Sequence, residues 1–165
     1  MLASQLEAVE KHIRGLRLEH AYVLASDGRL LLRKNSREAD RVQFSDEEFA
    51  LLKGCVLTHN HPFGGSLSEQ DLRIAMHAGL LQIRTVTRSH RYWIDCPAGG
   101  WTFETRTMIS TAMVVGRAAL RAELTYAVVR GELTVEEANR TIHHLLWTRL
   151  AQDAILAYGW EPWPT

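Results

Sequence analysis

The chain has 165 residues, 46% hydrophobic and 23% charged, which suits a globular protein with a core of its own. Lys+Arg and Asp+Glu number 19 each, so the formal net charge is zero, and nucleic acid, whose binders are usually basic, is not an expected partner. Two cysteines, Cys55 and Cys96, exclude a disulfide framework.

Residues 1–15, MLASQLEAVEKHIRG, lack the basic and apolar regions of a signal peptide. No apolar run reaches the roughly 18 residues of a membrane span. A cytoplasmic, reducing location is expected, with no membrane partner. In the same opening stretch Ser4 and Glu7 have capping-box spacing, and Leu6, Val9 and Ile13 follow at helical spacing. They predict a helix ending near Gly15. Alternation from Glu19 to Leu24, an Asp27-Gly28 turn and Arg29 to Lys34 predict a β-hairpin. Asn35 to Arg41 reads as polar loop.

Ser45 and Glu48 mark a second capping box, opening a short helix with Phe49 and Leu52 inward and Gly54 as its stop. The run CVLTHNH, 55–61, reads as a strand ended by Pro62. Ser68 begins a helix with a Leu72, Ala75, Met76 stripe and Gly79 as C-cap. Residues 80–87 and 91–95 read as strands with a turn at Ser89-His90, and 96–101 as loop. From about Thr102 the pattern becomes helical: 103–129, a stop at Gly131, a third capping box at Thr134 and Glu137, then a helix to Gly159. Two helices of about 25 residues would each be about 37 Å long and form a hairpin. The WEPWPT tail is expected to be loose or docked through its tryptophans. The chain thus divides into a mixed α/β (α+β) unit, 1–100, and a helical hairpin extension, 101–165.

The chemistry concentrates in LTHNHPFGGSLSEQD, residues 57–71. Side chains alternate along a strand, so His59 and His61 share one face and Asn60 takes the other. Two imidazoles so placed converge on one small cation. Imidazole nitrogen and carboxylate oxygen suit zinc, and Asp71 is the nearest carboxylate able to complete three protein ligands, the number that leaves a catalytic zinc an open position. A Ser68-x-x-Asp71 helix start agrees with ligation, because it aims Asp71 back at the strand end. His12, His20, His77, His90, His143 and His144 read as structural or surface residues, and the five tryptophans as packing residues, with Trp93 and Trp101 available to line a groove.

His-x-His-Pro followed by Ser-x-x-Asp resembles the JAMM (MPN+, JAB) zinc metalloproteases, and HNHP in particular resembles the RadC-like branch and related bacterial and phage domains. The resemblance covers roughly residues 16–97. The spacer from His61 to Ser68 is six residues, one shorter than the family's commoner spacing, and Gly64 and Gly65 allow the tighter path. The resemblance implies a JAB/MPN-like mixed sheet flanked by helices, with Zn2+ held by His59, His61 and Asp71. It implies that Ser68 steadies the oxyanion and that an upstream glutamate is the general base. Glu19, at the opening of the first strand, takes that role, with Glu38, Glu47 and Glu48 as rivals in a loop and a helix start.

The activity so implied is hydrolysis of a peptide or isopeptide bond at the extended C-terminal tail of a protein substrate, such as ubiquitin or a ubiquitin-like protein. The alternative is a non-hydrolytic RadC-like or phage-associated binding module with a structural or vestigial metal site. The long apolar faces of the two C-terminal helices must be covered, by the core or by a homodimer partner.

Overall fold

The computed structural model describes residues 1–36 and 43–164. Its centre is a mixed sheet of six strands: β1 (His20–Leu24), β2 (Leu30–Asn35), β3 (Val56–Asn60), β4 (Gln82–Val86), β5 (His90–Asp95) and β6 (Ala157–Pro162), in the order β2-β1-β3-β4-β5-β6. Among the described strands only β3 and β4 pair in parallel, joined by the crossover helix α3 (Glu69–Ala78). The other helices are α1 (Leu2–Ile13), α2 (Asp46–Ala50), α4 (Phe103–Val129) and α5 (Val135–Gln152). This is the α+β architecture expected, with its C-terminal helical pair. No helix among the described residues is long and apolar enough to cross a membrane.

Alternation along the central strands sends side chains into two cores. Val56 packs with Leu6, Ile13, Tyr22, Leu24 and Trp163 on the α1 face. Leu57 packs with Leu72, Ile83, Ile94 and Trp147 on the face covered by α3 and α5. Thr58 returns to the α1 face, where its hydroxyl donates to the fully buried Glu10 carboxylate at 3.1 Å. Arg84 donates to the same carboxylate at 2.5 Å, which meets the requirement that a buried charge be paired. His59 therefore falls on the α3 face.

Capping boxes form at Ser45, Ser68 and Thr134, each with reciprocal side-chain and backbone bonds. The one expected at Ser4 does not. α1 begins at Leu2, and the Ser4 hydroxyl donates back to the Met1 carbonyl at 2.8 Å, while Glu7 pairs with Lys11. At the other end, α5 stops at Gln152 rather than Gly159. Asp153 caps it and Ala154 turns the chain with φ of 56°. Residues 157–162 then pair antiparallel with β5, from Asp95 opposite Ala157 to His90 opposite Pro162. The tail docks through a tryptophan as well as through this strand. Trp163 is buried, its Nε1 donating to the Thr87 carbonyl at 2.9 Å.

Candidate metal centre

Three elements meet at the C-terminal end of β3. His59 is the penultimate residue of that strand, buried, and paired in register with Ala21 of β1 and Thr85 of β4. His61 lies one step past the strand, yet its N–H still donates to the Val86 carbonyl at 2.9 Å, so the alternation continues through it. Asp71 sits in the first turn of α3. Ser68, the N-cap, accepts from the Asp71 N–H at 3.2 Å, while its own N–H and hydroxyl donate to Asp71 Oδ2 at 2.6 and 2.8 Å. The helix start thus fixes the rotamer of the carboxylate it presents.

The three side chains converge. His59 Nε2 and His61 Nε2 are 3.0 Å apart, His59 Nε2 is 3.3 Å from Asp71 Oδ1, and His61 Nε2 is 3.6 Å from Asp71 Oδ2. All three lie within metal-binding distance of one another. A tetrahedral ion with bonds of about 2.0–2.1 Å spaces its ligands about 3.3–3.4 Å apart, which those edges bracket. His59 turns Nε2 to this point. Among the described residues its buried Nδ1 has no hydrogen-bond partner of good geometry, while the Arg84 backbone favours the charged form of the ring. The donor set and its spacing fit a small divalent ion. Among the described residues no other histidine, cysteine or carboxylate joins such a group.

The electrostatics are those of a tightly coupled cluster. Burial works to lower the His59 pKa, but the Asp71 carboxylate, its hydrogen bond and the charge of Glu19 outweigh burial and raise it. Burial likewise works to raise Asp71, and His59 and His61 outweigh it, holding the carboxyl well below its usual range. A histidine and a carboxylate that hold each other charged in this way are arranged to exchange a proton for a cation.

Glu19 immediately precedes β1. The register of β1 on β3 pairs Ala21 with His59, and its continuation sets Glu19 opposite His61 on the same face. Glu19 is largely buried and lines a cleft of about 750 Å³ together with His59, His61, Ser68 and Asp71. The two rivals within the described residues lie elsewhere. Glu47 accepts from the Ser45 hydroxyl, and Glu48 is held by the Ser45 N–H and Lys34. Glu38 lies outside the described residues. Trp93 and Trp101 do not line the cleft: Trp93 covers Gly159, and Trp101 Nε1 donates to the Leu80 carbonyl.

Two contributions were not evident from the motif. Asn60, pointing away from the cation point, accepts from the His20 N–H at 2.8 Å and donates to the Leu16 and Leu18 carbonyls at 3.3 and 3.1 Å. It fastens the segment that carries Glu19. Its only signal was position, a buried amide between two histidines. The second is the apolar wall of the cleft, formed by Phe44, Phe49, Phe63 and Ile74. Phe63 is well exposed.

Compared with family models, with curated proteins and with solved structures, the chain matches none.

Proposed function

We propose that this protein is a zinc-dependent peptidase or isopeptidase of the JAMM type. The observation that carries the reading is the meeting of His59, His61 and Asp71 with a separate carboxylate, Glu19, in one cleft. A purely structural zinc would be closed by four protein ligands and would need no such base. Zinc held by the three residues would supply a Lewis acid to polarise the scissile carbonyl and to acidify water.

The protein side of the reaction follows from placement. Glu19 takes the proton of the attacking water and delivers it to the leaving amine. Ser68 keeps Asp71 oriented in the resting site. Its hydroxyl, turned from Asp71 to the substrate oxygen, would stabilise the oxyanion. Phe44, Phe49 and Phe63 give the cleft an apolar wall suited to an extended peptide tail, and a ubiquitin-like C-terminus is the substrate class this reading favours. The free thiols of Cys55 and Cys96 agree with a reducing, cytoplasmic setting.

Elemental analysis of the purified, zinc-repleted protein should give one zinc per chain. Glu19→Gln should keep that zinc and the fold while lowering turnover of a ubiquitin-like C-terminal fusion by roughly 100-fold or more. Zinc-loaded protein that cleaves no such fusion or short peptide would favour the binding-module reading. Full activity in Glu19→Gln would remove Glu19 as the base.

A further inference from the structure

α4 packs on α5 through Ile109, Met113, Gly116 and Leu120; a side chain at Gly116 would meet Leu146 at 2.8 Å. Roughly 120° around the helix lies a second face that no described residue covers. Met108, Val115, Ala119, Ala122, Tyr126 and Val129 lie on it at seven- and eleven-residue spacings, all exposed. Val115 is 64% exposed, Tyr126 63% and Val129 78%. The face carries no charge between Glu104 and Arg130. Two charges on other sides of α4 are engaged within the chain, Arg117 with Glu69 and Glu123 with Arg149. A contiguous apolar helix face of this length marks an interaction surface.

We propose that it is the interface of a two-fold homodimer in which α4 packs antiparallel on α4 of a second copy, centred on Arg117. Two observations select this occupant. First, the face is complementary to its own reverse. Antiparallel pairing about residue 117 sets Met108 on Tyr126 and Val115 on Ala119, large against large at the ends and smaller residues at the middle. Such self-matching is what an isologous interface requires, and central alanines allow close helix approach. Second, the same register sets Glu104 against Arg130 at both ends. Glu104 makes no ion pair among the described residues, while Arg130 pairs with the exposed Glu132 of its own chain and lies over the Tyr126 ring at 5.0 Å, so its contact with Glu104 would exchange one exposed carboxylate for another.

The 165-residue protein tests this by sedimentation equilibrium over roughly 1 to 200 μM, the range in which a modest interface shows itself. The expected result is a reversible dimer. Val115→Glu, at an exposed position with unchanged circular dichroism, should raise the dissociation constant at least 100-fold. Mild oxidation should cross-link Ala118→Cys, which lies near the two-fold axis. It should not cross-link Val129→Cys, whose two copies would be about 36 Å apart along the helices. The unsubstituted protein serves as the control for Cys55 and Cys96. A wild-type monomer throughout, a dimer indifferent to Val115→Glu, or cross-linking at residue 129 rather than 118 would each overturn the proposal.

Discussion

His59 and Asp71 hold each other in charged form, and that coupling fixes how pH acts on the metal-free protein. The pKa of His59 is raised above the ordinary 6.5, so its contribution to stability is complete below that value and is lost as pH rises through the folded pKa. The pKa of Asp71 is depressed, so its contribution is present above the ordinary carboxyl range and is lost as pH falls through the folded pKa. Of these two effects only the first acts between pH 6 and 9, and there His20, His143 and His144, whose pKa values burial lowers, act in the opposite direction. Relative to a His59→Gln variant, the melting temperature of chelator-treated protein should therefore fall across that interval, while zinc affinity rises as the competing proton leaves. Thermal melts with and without metal would check both slopes, and parallel slopes would contradict the coupling. At this scale much was legible: alternation along β3 was enough to set His59 and His61 on one face with Asn60 opposed. The anchoring of the Glu19 segment by Asn60 was not, because it joins residues forty positions apart that share no periodic pattern.

Elements announce themselves where their ends carry distinctive chemistry. Ser45, Ser68 and Thr134 cap helices in the structure because a short hydroxyl followed by Asp or Glu three residues on satisfies the orphan N–H groups of the first turn. At α3 the cap also holds a proposed ligand. Ser68→Ala should cost about 1 kcal/mol in denaturant unfolding and weaken metal binding by roughly 10- to 100-fold, as loss of a ligand's supporting hydrogen bond does. Ser68→Thr should retain most of both. The end of α5 was illegible for the complementary reason. Its left-handed turn residue is Ala154, not glycine, so nothing in the sequence punctuates the helix before Gly159. Ala154→Gly should relieve that backbone and raise stability by about 0.5–1 kcal/mol, read from the unfolding midpoint.

Across the whole molecule, the C-terminal residues complete structures begun by the N-terminal ones. Trp147 of α5 is fully buried, and its Nε1 donates at 2.7 Å to the carbonyl of Leu67, next to Ser68. Arg117 of α4 reaches Glu69 at 2.9 Å. The helical pair thus braces the turn that delivers Asp71. Ending the chain after residue 100 removes these contacts, strips β5 of its outer neighbour and uncovers Leu72, Ile83 and Ile94. Such a fragment should lack a cooperative unfolding transition and bind a dye for exposed apolar surface. A fragment that melts sharply and holds zinc would show that the brace is dispensable.

The pairing of β5 with β6 also has a bearing on biosynthesis. Residues 90–95 leave the ribosome long before residues 157–162, and during that interval the outer edge of β5 has unsatisfied backbone groups beside an incomplete apolar layer. Closing that edge spans more than sixty residues, which places a non-local step late in folding. A nascent chain stalled short of Trp163 presents an open strand edge to its neighbours on a polysome, so the interval between translating β5 and translating β6 is when this protein most needs a chaperone.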